Sequence, residues 1–171
     1  MKHIDNNYTL KCPVCGTEYY DTDKGFLLSC SNNHRSALLR AQYDRKLTIR
    51  AELPGIFRYS SWLPVRRVFE RAEGPAVYRS IGLGDILGLK NLYVAFNGYW
   101  PEKNVFMDTC SFKELEAPGV LGRLSGTERR TLVVSSAGNT GRAFLKAGWG
   151  NGIAALIVEP ERALPSPWVT E

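Results

Sequence analysis

Two short apolar runs flank one amphipathic segment between Thr131 and Val158, and this spacing constrains the fold more than any other feature of the chain. Thr131-Leu132-Val133-Val134-Ser135 and Ile153-Ala154-Ala155-Leu156-Ile157-Val158 have the length and apolar character of buried strands. Residues 138–149 between them have helical periodicity, with Ala143, Phe144 and Ala147 on one face. Strand, helix and strand at this separation make a crossover unit, so its two strands run parallel and the fold class is α/β. Leu92-Tyr93-Val94-Ala95-Phe96 is a further β-prone run. The expectation is one mainly parallel sheet holding 92–96, 131–135 and 153–158, with the 138–149 helix packed across it.

The chain changes character near residue 50. Residues 1–50 are polar and read as a small β ribbon or knuckle, and residues 51–171 as the α/β part. In the ribbon, Tyr8–Cys12, Gly25–Cys30 and Leu38–Tyr43 are the expected strands, with Cys12-Pro13-Val14-Cys15-Gly16 as a tight turn. Arg66–Arg71 is expected to form one or two helical turns, and Ser80–Leu87 a short helix despite Gly82 and Gly84. Ser111 with Glu114 three residues on has capping-box spacing, and Pro118-Gly119 shortens or kinks the helix that follows.

Composition removes several classes. Hydrophobic residues make up 44% of the 171 and charged residues 23%, ordinary values for a globular chain. No apolar run approaches the roughly 18 residues of a membrane span, and the N-terminal residues show no signal-peptide pattern, so a cytoplasmic location is expected and no membrane partner. The net charge of +5 favours anionic ligands, but the basic residues are scattered among acids and read chiefly as a solvated surface. No stripe of basic and aromatic residues suggests a nucleic-acid partner. Self-association stays open.

Ser135-Ser136-Ala137-Gly138-Asn139-Thr140-Gly141 follows a strand and opens a helix. Small residues let a ligand approach the backbone there, and helix-start N–H groups favour an anion. A turn whose Ser and Asn serve only as caps is the plainer alternative. In Thr109-Cys110-Ser111-Phe112-Lys113, Lys113 stands at a helix start, where the dipole opposes its charge. An uncharged amine at such a place can bond a carbonyl cofactor, although a lone lysine is more often an exposed residue without a role.

Taken together, Ser-Phe-Lys at a helix start and Ser-x-Gly-Asn-Thr-Gly after a later strand resemble the fold-type II pyridoxal-phosphate enzymes. Trp62-Leu63-Pro64-Val65, Phe96–Glu102, Thr109–Ala117 and Ser136–Phe144 narrow the resemblance to the cysteate synthases, relatives of the threonine synthases. Threonine synthases usually follow Ser-Phe-Lys with Asp-Arg, where this chain has Glu-Leu-Glu. A threonine synthase-like portion is the alternative within this class. Outside it stands a non-catalytic zinc-ribbon module on an α/β scaffold.

The resemblance implies a pyridoxal 5′-phosphate enzyme that replaces the phosphate of O-phosphoserine with sulfite, giving cysteate and phosphate on the way to coenzyme M. Lys113 matches the lysine that holds the cofactor's aldehyde and later takes the substrate α-proton. Asn139 matches the asparagine bonded to the cofactor's 3′ oxygen, and Ser136, Ala137 and Thr140 match the substrate-carboxylate loop. Lys113 and Asn139 are then expected to face one cleft. The family's glycine-rich phosphate loop lies in a C-terminal part with no counterpart here: Gly148-Trp149-Gly150-Asn151-Gly152 falls between helix and strand, at the other edge of the sheet. The chain is therefore expected to be the N-terminal portion of such an enzyme, completed in cis or in trans, and to bind the cofactor weakly by itself.

Cys12, Cys15, Cys30 and His34 form a Cys-x-x-Cys and Cys-x3-His set, permitted for tetrahedral zinc. Cysteines that merely pack, or a redox-sensitive thiol pair, are the alternatives. His3 is expected in a disordered terminus and has no assigned role.

Overall fold

The structure is a computed structural model and describes residues 2–3, 8–22, 27–124 and 131–163. Strand β1 (Lys2–His3) places His3 in a pairing, not in a disordered terminus. The ribbon is a three-stranded antiparallel sheet. Strand β2 (Thr9–Lys11) lies at its centre, flanked by β3 (Glu18–Tyr19) and β4 (Arg40–Gln42). Leu10 pairs with Tyr19 on one side and Ala41 on the other. The turn after β2 closes with Gly16 N–H donating to the Cys12 carbonyl at 3.0 Å, and Gly16 takes φ +73°, which a side chain would strain. The expected strand at 25–30 falls partly on residues outside the described set; from it, Ser29 forms a single antiparallel bridge to Leu38.

A 3₁₀ stretch over Gly55–Trp62 then drives Phe57 into the core, edge-on to Phe69 with ring centroids 5.7 Å apart. Residues 66–71 are not helical. Arg67–Val68 is an extended strand, β5, antiparallel to β1. Val65, Arg66, Arg67, Val68 and Phe69 are all buried, so the segment is covered on both faces and has no polar helical side to show to water. Arg66 is bonded within the protein: its N–H donates to the Gly122 carbonyl at 2.8 Å, and its guanidinium to the Thr22 carbonyl at 2.7 Å.

Strand β6 (Ala76–Arg79), helix α1 (Ile81–Leu87) and strand β7 (Tyr93–Phe96) follow. The expected α1 is present, closed by Gly88 in the left-handed region. The single parallel sheet is not formed. β7 pairs antiparallel with β6, from Ala76–Phe96 to Arg79–Tyr93, in a sheet separate from the crossover unit. A short helix and a tight return bring β7 back beside the strand just left, and an apolar run does not encode which neighbour will take its hydrogen bonds. Strands β8 (Tyr99–Trp100) and β9 (Val105–Phe106) make a small hairpin.

Helix α2 (Lys113–Arg123), strand β10 (Leu132–Ser135), helix α3 (Asn139–Trp149) and strand β11 (Ala155–Val158) complete the described fold. The crossover unit is as expected: β10 and β11 are parallel, in register from Leu132–Ala155 to Ser135–Val158. The predicted face of α3, Ala143, Phe144 and Ala147, joins Ala117 and Leu121 of α2 and Phe57, Val65, Val68 and Phe69 in one core. The two strands leave Val133, Leu156 and Val158 exposed on their other face. No helix among the described residues is long and apolar enough to cross a membrane.

Candidate functional site

The expected Cys–His set converges. The ligand atoms of Cys12, Cys15, Cys30 and His34 lie within 4.8 Å of one another. The Cys15 and Cys30 sulfurs are 3.7 Å apart, and His34 Nε2 lies 3.5 Å from Cys12 Sγ and 3.1 Å from Cys30 Sγ. The turn after β2 presents Cys12 and Cys15, and the bridge of Ser29 to Leu38 carries Cys30 and His34 to the same point. Hydrogen bonding from Thr17, side chain first and backbone next, pulls the Cys15 thiol down to about 5.

Lys113 is the first residue of α2, reached through Cys110 at a left-handed φ of 50°. The capping box is not made: no side chain caps at Phe112, the residue preceding the helix. Ser111 Oγ instead accepts the Lys113 N–H at 3.1 Å. The buried Glu114 carboxylate turns back past Ser111 and accepts both the N–H and the hydroxyl of Thr109 at 2.7 Å. Its other oxygen takes the Lys146 ammonium at 2.5 Å, and that ammonium also meets Asp108 at 2.7 Å. A buried carboxylate needs a cation, and Ser111 could not supply one. Helix α2 then runs through Pro118 to Arg123. The Lys113 ammonium pairs with Glu116 and lies 5.1 Å from the Phe112 ring centroid.

The 135–141 loop opens α3 at the carboxyl end of β10. Ser136 Oγ accepts the N–H groups of Gly138 at 3.3 Å and Gly141 at 3.0 Å, which ties the loop to the helix start. Gly141 is needed for close approach, since a Cβ there would stand 3.0 Å from both the Ser136 carbonyl and Ile157. Ala137, Gly138 and Asn139 are exposed, and Ser136 and Thr140 half-buried. Among the described residues no hydrogen bond joins Lys113 to Asn139; α2 meets α3 through Glu114 and Lys146, the latter seven residues, or roughly 10 Å of helix, beyond Asn139. Replacing Ser136 by alanine is expected to destabilise the protein by about 1 kcal/mol, as for a lost helix cap, read as a lower urea midpoint at unchanged slope.

The network of Asp108, Glu114 and Lys146 escaped sequence reasoning. These residues line a groove of about 400 Å³ between α2 and α3, together with Arg71 and Glu73. Burial alone would lower the Lys146 ammonium, but its bonds to Asp108 and Glu114 outweigh that and push it up. Burial pushes the Glu73 carboxyl up. The one available signal was Lys146 standing beside Ala147 on the apolar face of α3.

The chain is similar to cysteate synthases over nearly all of its length. It is 45% identical to the cysteate synthase of Methanosphaerula palustris over 170 residues, 98% of this chain and 39% of that protein. It is 43% identical to that of Methanosarcina barkeri over 96% of this chain and 38% of the relative. With that of Methanoculleus marisnigri the identity is 46%, over 95% and 37%. The chain thus spans less than two-fifths of the length of these relatives, and the resemblance read from Trp62–Val65, Phe96–Glu102, Thr109–Ala117 and Ser136–Phe144 is borne out. No family model matches the chain, and no solved structure matches it.

Proposed function

We propose that this chain, similar to cysteate synthases from end to end but much shorter, is the N-terminal, lysine-bearing portion of a pyridoxal-phosphate enzyme that makes cysteate from O-phosphoserine and sulfite. The observation that carries the reading is the 170-residue match at 45% identity, which includes both the Lys113 and the 136–144 motifs.

The residues present fit the cofactor's needs in kind. Lys113 offers a primary amine with a side chain only 28% exposed, at a helix start. The 136–140 loop offers small, accessible residues at the carboxyl end of a strand, where ligands of α/β sheets bind. Pyridoxal phosphate, when bound, supplies an electron sink for charge developing at the substrate α-carbon. Lys113 would hold the cofactor and its Nζ would be the base for the substrate α-proton; its pairing with Glu116 must open for the amine to take that role. Asn139, exposed at the first position of α3, would hold the cofactor through its side-chain amide. The Ser136 hydroxyl oxygen accepts two N–H bonds, which leaves its proton free to donate to a substrate carboxylate beside Ala137 and Thr140. Phosphate leaves the β-carbon and sulfite sulfur takes its place, so atoms and charge balance without an oxidant or reductant.

The test supplies the remaining portion of the Methanosphaerula palustris cysteate synthase in trans, adds pyridoxal phosphate and fixes the bound cofactor with borohydride. Peptide mapping should place the label on Lys113, and Lys113→Ala should abolish both the label and cysteate formation. Asn139→Ala should weaken capture by about 1.5–3 kcal/mol, the range for a hydrogen bond to a charged group. Label spread over other lysines and unchanged by Lys113→Ala would defeat the reading.

A further inference from the structure

We propose that Cys12, Cys15, Cys30 and His34 form a closed structural zinc site, whose metal replaces the core that the ribbon lacks and sets the loop clasping Arg123.

Two of the ligand-atom separations match the edges of a zinc tetrahedron, Cys30–His34 is shorter at 3.1 Å, and all four atoms lie within 4.8 Å of one another. Zn–S bonds of about 2.3 Å and Zn–N bonds of about 2.0–2.1 Å give edges of about 3.8 Å between sulfurs and about 3.6 Å between sulfur and nitrogen. The Cys15–Cys30 and Cys12–His34 separations are 3.7 and 3.5 Å. A redox pair needs only two thiols and would not call a histidine into the cluster. His34 is also set for ligation. Its Nδ1 lies 2.7 Å from the Arg35 carbonyl, which can only accept, so the proton sits on Nδ1 and the Nε2 lone pair faces the sulfurs. Donors converge on the sulfurs as thiolates require: Val14 N–H on Cys12 at 3.4 Å, Asn32 N–H on Cys30 at 3.5 Å and the Asn32 side-chain amide on Cys15 at 3.4 Å. Three thiolates and one imidazole select zinc over hard cations, and four protein ligands leave no open position for catalysis.

The role follows from what the ribbon lacks. Between residues 8 and 22 its buried apolar side chains are Tyr8, Leu10 and Cys12, too few to hold a small module without a staple. Yet the segment between Cys15 and Cys30 carries the groups that grip the rest of the protein. Asp21 takes Arg123 Nε at 2.7 Å and its terminal nitrogen at 3.0 Å, while the Leu27 carbonyl takes that same nitrogen at 2.9 Å. Thr22 holds Arg66. A metal joining Cys15 to Cys30 fixes both ends of this segment.

Cys110 supplies an internal control, since it is exposed and lies outside the cluster. The chain, purified without chelator from zinc-supplemented medium, should carry about one zinc, the stoichiometry of a single four-ligand site. In the zinc form one thiol, Cys110, should react quickly with a thiol reagent, and after chelation all four. Cobalt(II) in place of zinc should give the intense visible bands of tetrahedral thiolate coordination. Chelation should speed amide exchange at Leu10 and Ala41 by about tenfold or more, the signature of local opening. Cys15→Ser and His34→Gln, both away from the buried Cys12, should lose the metal and reproduce that exchange. A metal-free protein whose ribbon is as protected as the zinc-treated one overturns the proposal. Bound zinc with no change in exchange on its removal overturns the structural role.

Discussion

Replacing Asp21 by alanine is expected to destabilise the protein by about 3–5 kcal/mol, the cost of stranding one member of a buried ion pair. The Asp21 side chain is fully buried and Arg123 is 15% exposed. Besides Arg123, the carboxylate accepts the Tyr8 hydroxyl at 2.6 Å and the Leu27 N–H at 2.9 Å, so every lone-pair direction is used. The loss therefore takes away the counter-charge of the Arg123 guanidinium, which keeps its bond to the Leu27 carbonyl, and the acceptor of the Tyr8 phenol and the Leu27 amide. Urea unfolding of the zinc-loaded chain is the measurement, and Asp21→Ala within about 0.5 kcal/mol of the parent, the range of an ordinary surface substitution, would remove the pair from the account of how ribbon and helix α2 are joined.

The same carboxylate sets a pH dependence. Burial acts to raise it, but Arg123, Tyr8 and Leu27 outweigh burial and hold it below the usual carboxylate range. A depressed folded value means that the contribution is present above the unfolded value, near 3.9, and is lost as pH falls through the lower folded one. Stability should therefore fall in acid, below about pH 4, and the fall should be shallower in Asp21→Asn. The Tyr8 phenol moves the opposite way: burial first, then the bond to Asp21, raise it, so it stays protonated as a donor throughout this range.

Phe57→Ala should cost about 3–5 kcal/mol, the usual range for emptying a buried aromatic site. Phe57 has no exposed surface and packs edge-on to Phe69. The site cannot collapse easily, because Gly122 of α2 already sits so close that a Cβ there would come within 3.0 Å of the Phe57 ring and 2.9 Å of the Arg67 carbonyl. Trp149→Ala is the matched control: its side chain is larger but 92% exposed, so the expected change is within about 0.5 kcal/mol. Equal effects from the two substitutions would show that the core is not centred on Phe57.

Local chemistry was legible wherever a pattern carries its own partner. The crossover unit could be read because a parallel pair requires a long connection, and Gly138–Trp149 is that connection. The metal-type cluster could be read because Cys-x-x-Cys brings two sulfurs together through one tight turn. The Lys113 and Ser136–Thr140 motifs could be read because their order and spacing resemble a family, and the comparisons bear out that resemblance. What the amino-acid sequence by itself determined was thus the α/β character, the β10–α3–β11 unit and the kinship. Only the tertiary structure decided that β7 turns to β6, that Arg67–Val68 is an extended, buried strand, and that Glu114 leaves the capping position for Thr109 and Lys146. In each case the choice lies between partners distant in sequence. Hydrogen-bond donors, apolar surface and buried charge are satisfied by whichever neighbour arrives, and no local pattern encodes which one will.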